Sequence, residues 1–170
     1  MRTGADEAAD PKYAHVERER RWLVHPAARP AVAGEGVLIE DRYIAGTRCR
    51  LRRMSRGGAM SLKLTRKYEA VDPTARPIVT AYLTKEEYAV FASLPAHTVV
   101  KRRHAIEHAG TEWSLDRFEG ALAGLELIEI EAPDAPTLAA LVPPAWAVRE
   151  VSDDPRYQGG TLATQGIPET

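Results

Sequence analysis

The chain is short of several features that mark common protein classes. Its 170 residues include one cysteine, Cys49, so no internal disulfide can form, as is usual in a reducing compartment. No apolar run approaches the roughly 18 residues that a membrane-spanning helix requires. The acidic first residues, MRTGADEAADPKY, lack the apolar stretch of a secretory signal. The sequence therefore predicts a cytoplasmic protein with no membrane partner.

A strong charge of one sign is also missing. The formal net charge is −1 at pH 7, which gives no general attraction to nucleic acid or to an anionic membrane. The nucleotide-binding patterns GxGxxG and GxxxxGK[ST] and the hydrolase pattern GxSxG do not occur. His104 and His108 are four residues apart, but they lie in a predicted strand and turn with no HExxH around them. A histidine metal site is therefore not expected, and any anion-binding site must be local.

The composition that is present suits one folded domain. Hydrophobic residues make up 44% of the chain and charged residues 28%. Apolar and β-branched stretches alternate with turns that contain glycine or proline. The pattern predicts about eight strands in antiparallel succession, at residues 13–24, 37–45, 47–54, 59–69, 77–83, 97–107, 111–118 and 125–132.

Helices are predicted to be few and short. Thr84 is a candidate N-cap for a helix that Pro95 ends, and residues 136–141 form a second candidate. Residues 25–36 read as a loop, and the tail from Ser152 reads as irregular. The expected organisation is a disordered arm at residues 1–11, one domain at 12–163 and a flexible tail at 164–170.

Five stretches place charged residues at every second position, the spacing that puts side chains on one face of a strand. The opposite faces of most of these strands are apolar. In a closed barrel the charged faces would line a water-filled bore, although such patterns are also typical of solvated faces with cross-strand ion pairs. The residues assigned to the charged face are Glu17, Glu19, Arg21, Arg48, Arg50, Arg52, Lys63, Lys67, Lys101, Arg103, Asp116, Glu129 and Glu131.

These side chains have the chemistry of a phosphate site. Eight bases and five acids give a surplus of three positive charges, and so many ions cannot be buried without water. Carboxylates are the ligands that Mg²⁺ and Mn²⁺ prefer, and guanidinium groups bind phosphate oxygens through two parallel hydrogen bonds. Acids, a metal ion and basic residues together are what phosphoryl transfer requires.

The ordered set of motifs resembles the CYTH family, also called triphosphate tunnel metalloenzymes. Residues 17–24 (ERERRWLV) are similar to its ExExK-type first strand, with Arg21 at the position of the usual lysine. Arginine keeps the charge but does not lose a proton, so only a charge-binding role is expected there. The other similar segments are 49–53 (RxR strand), 64–67 (TxK), 101–103 (KxR), 115–116 (acidic strand), 127–131 (EvE) and 149–157 (C-terminal segment).

The resemblance implies a fold, a reaction and a set of residue roles. The fold would be α+β but mainly β, an eight-stranded antiparallel closed tunnel barrel with a few short covering helices. The function would be metal-dependent hydrolysis of a triphosphate, most simply inorganic triphosphate to pyrophosphate and phosphate. The catalytic and metal-binding set would be drawn from Glu17, Glu19, Asp116, Glu129 and Glu131, with Mg²⁺ or Mn²⁺. The substrate-binding set would be Arg21, Arg48, Arg50, Arg52, Lys63, Lys67, Lys101 and Arg103.

Three alternatives stay open at this point. The chain could be an adenylate cyclase, a thiamine or nucleoside triphosphatase, or a polyphosphate-binding module without turnover. The expected partner is a small-molecule triphosphate rather than nucleic acid or membrane, and a homodimer is not decided by the sequence.

Overall fold

Residues 11–169 are described by a computed structural model, and they form a mainly β structure with three short α-helices. Almost all of the arm predicted at residues 1–11 lies outside the described residues. The elements in chain order are β1 His15–Val24, β2 Val37–Ile44, β3 Cys49–Arg56, β4 Ala59–Lys67, β5 Ala75–Tyr82, α1 Lys85–Ala92, β6 Ala96–His108, β7 Thr111–Phe118, β8 Glu126–Glu131, α2 Ala135–Ala140, β9 Ala147–Glu150 and α3 Gly159–Gln165.

Eight of the strands close into a barrel through the two halves of β1. The strand order is β5-β4-β3-β2-β6-β7-β8-β1, and every pairing is antiparallel. The first half of β1 pairs with β5, including Glu17 opposite Arg76, and the second half pairs with β8, including Glu19 opposite Glu131. The predicted closed eight-stranded barrel is therefore confirmed. The short strand β9 was not predicted from the sequence. It pairs with the C-terminal end of β1, at Trp22–Val24, whereas β5 pairs with the N-terminal end.

Two tight turns fix the register of the strands that carry the basic residues. Gly57 and Gly58 join β3 to β4 with φ angles of 55° and 83°, and Ala109 and Gly110 join β6 to β7 with φ angles of 51° and 76°. Two successive positive φ angles suit the twist of a two-residue hairpin, and glycine adopts them without steric cost. The first turn places Arg52 directly opposite Lys63.

The apolar faces of the strands point outward and are covered, as the alternation predicted. Trp22 and Trp113 lie on neighbouring parts of this outer surface with their ring centroids 5.5 Å apart. They are buried together with Leu115 and Ile128 and pack against Leu138 of α2. The second predicted helix, at 136–141, corresponds to α2, and Asp134 caps it by accepting a hydrogen bond from the Thr137 N–H at 2.8 Å.

The C-terminal segment is more ordered than the sequence indicates. The prediction of an irregular tail from Ser152 is wrong, because a 3₁₀ turn at Pro155–Tyr157 and the helix α3 follow. Tyr157 and Leu162 from this segment pack against side chains that project into one end of the barrel, Val99, Phe118 and Leu127 among them. An apolar cluster therefore covers part of that end of the barrel. In the described part of the chain, no helix is both long enough and apolar enough to cross a membrane.

Candidate active site

The barrel encloses a cavity of about 640 Å³ that receives side chains from all eight of its strands. Of the thirteen charged residues predicted to share one face, all but Asp116 and Lys63 line this cavity. The strand alternation read from the sequence thus gathers most of the predicted acids and bases around one space. The alternation of side chains along each strand explains this result. Arg52 lines the cavity, whereas the next residue, Arg53, lies on the outer surface and pairs there with Glu40.

Three of the predicted acids converge on one point. One carboxylate oxygen each from Glu17, Glu19 and Glu131 lies within 4.8 Å of the others. Burial and the nearby carboxylates of Glu17 and Glu19 raise the pKa of Glu131. Carboxylate oxygens are the ligands that a divalent cation such as Mg²⁺ prefers, and a bound cation would also relieve the repulsion between the three carboxylates. The donor set therefore fits the metal that the resemblance to the CYTH family implies.

Lys67 connects this acidic cluster to the basic part of the cavity. Its Nζ donates to Glu17 Oε2 at 2.6 Å and lies 4.0 Å from Glu19 Oε1. Burial alone would raise the pKa of Glu17, but the Lys67 ammonium outweighs it and lowers that pKa. Glu17 is therefore ionised at neutral pH and available as a ligand.

Asp116 and Glu129 are engaged by bases instead of joining the acidic cluster. Asp116 is fully buried, and Arg103 donates to both of its oxygens at 2.7 Å while Lys101 also binds it. Arg103 reaches Glu129 Oε2 at 2.6 Å as well. Asp116 therefore fixes the position of Lys101 and Arg103, and each of its oxygens already accepts a hydrogen bond.

Arg21 lies between the acids and the C-terminal segment. Its guanidinium pairs with Glu19, lies 3.7 Å from Glu129 and donates to the Tyr157 carbonyl oxygen at 3.1 Å. Burial would lower the pKa of Arg21, but these two carboxylates outweigh it and raise that pKa. The residue that stands in place of the family lysine is therefore a permanent charge.

Three charged residues of the cavity were missed by sequence reasoning, and one of them, Glu69, lies at the mouth beside Arg48. Asp41 in β2 is 2% exposed and accepts hydrogen bonds from Nε and Nη2 of Arg52, both at 2.7 Å. Arg76 in β5 also lines the cavity. Neither Asp41 nor Arg76 belongs to a run of alternating charges, and the predicted strand began one residue after Arg76. The available signal for Asp41 was the position of β2 beside the basic strand β3.

Two predicted residues lie at the margins of the site. Lys63 shares the alternation of Lys67, but its Nζ lies 5.0 Å from the ring centroid of Tyr82, which is 74% exposed. Four residues of extended strand separate the two lysines by about 13 Å, which takes Lys63 out of the cavity. Arg48 is at the mouth, where it pairs with Glu69 and remains largely exposed.

A second cavity of about 290 Å³ shares several lining residues with the first. Arg103, Glu129 and Glu131 line both, and Glu112 and Ser114 line only the second. Of the three clustered glutamates, Glu131 therefore lines both cavities.

Comparison with known proteins gives partial sequence matches and a nearly complete structural one. No family sequence model matches the chain. It is 39% identical over 64 residues to an inorganic triphosphatase of Acetivibrio thermocellus, a match covering 38% of this chain and 40% of that protein. It is 39% identical over 54 residues to an inorganic triphosphatase of Nitrosomonas europaea, covering 32% and 36% of the two chains. The chain thus matches about two-fifths of the length of these curated relatives.

The structural matches extend along most of the barrel. A structure of the hypothetical protein NE1496 has a TM-score of 0.60 at 26% identity and covers 89% of this chain and 99% of that one. A structure of the inorganic triphosphatase NE1496 gives 0.57 at 24% identity, with coverages of 86% and 93%. The protein PH1819 of Pyrococcus horikoshii shares the fold, with a TM-score of 0.54 at 19% identity over 72% and 82% of the two chains.

Proposed function

We propose that this chain, which belongs to the CYTH family of triphosphate tunnel metalloenzymes, hydrolyses inorganic triphosphate to pyrophosphate and phosphate with the help of a divalent cation. One observation carries the proposal: a cluster of three carboxylates and a set of arginine and lysine side chains face each other inside a single cavity. Relatives named inorganic triphosphatase support the choice of substrate.

The acidic cluster is the proposed metal site. Glu17, Glu19 and Glu131 would hold Mg²⁺ or Mn²⁺, and Glu129 and Asp116 keep the neighbouring bases in place. A bound divalent cation supplies neutralisation of phosphate charge and polarisation of a water molecule. One or two of the three glutamates orient that water by accepting its hydrogen bonds.

The basic side chains are the proposed phosphate clamp. Arg50, Arg52, Arg76 and Arg103 offer guanidinium groups to the phosphate oxygens, and Lys67 offers an ammonium next to the acids. These fixed charges neutralise the pyrophosphate as it leaves, and they need no rearrangement during the reaction because carboxylates of the barrel already hold several of them. Arg21, Arg48 and Lys101 contribute positive charge at the edges of the clamp.

The domain limits at 12–163, a cytoplasmic location and the oligomeric state stay predictions. The single cysteine, Cys49, and the near-neutral net charge support a cytoplasmic location without a nucleic-acid partner.

A phosphate-release assay tests the proposal. The purified protein is incubated with tripolyphosphate, thiamine triphosphate or ATP, with Mg²⁺, Mn²⁺ or EDTA. We expect release from tripolyphosphate that stops in EDTA and returns with either metal. Faster turnover of an organic triphosphate would move the assignment to a thiamine or nucleoside triphosphatase, and cyclic AMP production from ATP would indicate a cyclase. Binding of tripolyphosphate without turnover of any substrate would indicate a polyphosphate-binding module.

A further inference from the structure

One acid of the cavity has no part in the proposed reaction. Asp41 lies in β2 among the basic side chains, on the side that supplies the phosphate clamp. Both of its oxygens accept from Arg52 at 2.7 Å, and Arg50 Nε lies 3.7 Å from Oδ1. Burial alone would raise the pKa of Asp41, but Arg52 and Arg50 outweigh it and lower it to about 2. Asp41 is therefore an anion at any pH at which the enzyme would work.

The Asp41–Arg52 ion pair differs from the surface ion pair next to it. The adjacent residues Glu40 and Arg53 form the surface pair. They bind each other through two hydrogen bonds of 2.6 and 2.7 Å on the outer face, where the Arg53 side chain is 44% exposed. Asp41 and Arg52 repeat the geometry inside, at side-chain exposures of 2% and 11%. Burying two charges costs several kcal/mol each, so the inner pair adds little to stability and is a candidate for a role in the cavity.

Asp41 determines which guanidinium atoms remain for a ligand. A guanidinium has five N–H donors, and Asp41 takes the Nε donor and one Nη2 donor of Arg52. That edge is one of those suited to two parallel bonds with a phosphate. Three N–H groups of Arg52, two on Nη1 and one on Nη2, are left for the substrate. The buried Nε of Arg50 makes no hydrogen bond within the described residues. The phosphate clamp is thus both oriented and partly neutralised before any ligand binds.

We propose that Asp41 is a built-in counter-anion of the clamp, a positioning residue that aims Arg52 into the cavity and whose charge weakens the hold of Arg52 and Arg50 on released pyrophosphate. The proposal rests on the proposed triphosphatase function. Its use is to balance two needs of the site. The transition state needs arginines in fixed positions, whereas turnover needs a product with fewer charges to leave.

The experiment compares Asp41→Asn and Asp41→Glu with the outer-face control Glu40→Gln. The kcat and KM for tripolyphosphate with Mg²⁺ and the inhibition constant of pyrophosphate are measured for each variant. Asp41→Asn removes the negative charge next to the clamp. We expect its KM and its inhibition constant for pyrophosphate to fall about tenfold, because one nearby charge no longer repels the anion. Its kcat should also fall about tenfold or more, because product leaves slowly and Arg52 is less firmly held.

Asp41→Glu separates charge from position. The charge is kept, so the inhibition constant for pyrophosphate should stay near that of the unmodified enzyme. The longer side chain displaces Arg52, so kcat should fall. Glu40→Gln should leave all three constants unchanged. If Asp41 only supported folding, its substitutions would lower stability, but Asp41→Asn would not lower KM and the pyrophosphate inhibition constant while Asp41→Glu left the inhibition constant unchanged.

The same measurements distinguish a wrong function for the protein from a wrong role for Asp41. If the unmodified protein does not hydrolyse tripolyphosphate, the proposed function is wrong and the inference falls with it. If it does, and Asp41→Asn keeps its kcat and its inhibition constant, or Glu40→Gln changes them equally, only the role of Asp41 is wrong. Should Asp41→Asn fail to fold, Asp41→Glu decides: an unchanged kcat in that variant overturns the proposal.

Discussion

Single residues in this barrel owe their roles to the face of the strand on which they lie. Arg52 and Arg53 are adjacent in β3, yet Arg52 lines the cavity and Arg53 is paired with Glu40 outside. Arg52→Ala should weaken tripolyphosphate binding by about 2–4 kcal/mol, the range for removing a charged hydrogen-bonding partner. Arg53→Ala should leave affinity unchanged. Calorimetric titration in Ca²⁺, chosen as a poorly catalytic metal, measures both, and equal losses in the two variants would contradict the register of β3.

Glu131 should affect activity and stability in opposite directions. Its raised pKa results from burial and from the carboxylates of Glu17 and Glu19. The native state thus holds the proton more tightly than the unfolded chain, so ionisation of Glu131 reduces stability as pH rises above its usual pKa of 4.5. Glu131→Gln should raise the melting temperature of the metal-free protein at pH 7. It should also lower kcat by about two orders of magnitude, as expected for losing one strong electrostatic contact.

Glu126→Gln is the matched control for that prediction. Glu126 is the first residue of β8 and Glu131 the last, and the Glu126 side chain faces outward, where it accepts from Arg29 and Arg117. Burial would raise its pKa, but these two arginines lower it. Its charge is therefore stabilising, so the variant should melt at a lower temperature at pH 7 and keep its kcat. A higher melting temperature in Glu126→Gln and a lower one in Glu131→Gln would show that the carboxylate environments are misassigned.

The alternation of side chains along the strands also determines which cavity residues could be predicted from the sequence. It located most of the cavity correctly, because charges at every second position of a strand share a face. It could not find Asp41, whose strand carries mixed charges and shows its place only once β2 is paired with β3. It also could not tell how far along the strand Lys63 lies from the cavity, since alternation gives the face of a residue but not its depth.

At the scale of elements, the C-terminal helix α3 depends on a close contact with β2. A Cβ atom on Gly159 would lie 1.8 Å from Tyr43 Oη, whereas one on Gly160 would lie 3.5 Å from the nearest Tyr43 atom. Gly159→Ala should therefore destabilise the fold by about 1–3 kcal/mol, as overpacking usually does. Gly160→Ala should be neutral or stabilise by about 0.5–1 kcal/mol, because alanine favours the helix. Urea unfolding of the two variants measures the difference, and equal effects would contradict the docking of α3 on Tyr43.

The elements that the sequence predicted well are those with strong local signals. The hairpin turns at Gly57-Gly58 and Ala109-Gly110 and the capping box of Thr84 and Glu87 each depend on residues close in sequence. β9 and α3 have no such signal. β9 is four residues long and forms only against β1, and α3 contains two glycines and is held by the burial of Leu162 at the barrel end. Tertiary packing decided both, and local propensity could not show it.

For the whole molecule, the cavity holds more positive than negative charge. Eight basic and six acidic side chains line it, and the added acids include Asp41, which reduces the surplus that the sequence predicted. An anion of several charges together with a divalent cation completes this balance. Since such a ligand binds the folded state only, it should raise the stability of the protein.

Melting curves test that balance directly. Tripolyphosphate with Ca²⁺ at about one hundred times its dissociation constant should add roughly 2.7 kcal/mol of stability, or about 5–10 °C in melting temperature for a domain of this size. AMP and glycerol phosphate should give little shift, because each carries one phosphate and spans only part of the clamp. The shift should shrink in high salt, since the open parts of the cavity are screened. Scanning fluorimetry across these ligands measures it, and a monophosphate shift as large as that of tripolyphosphate would mean that the cavity does not select a chain of phosphates.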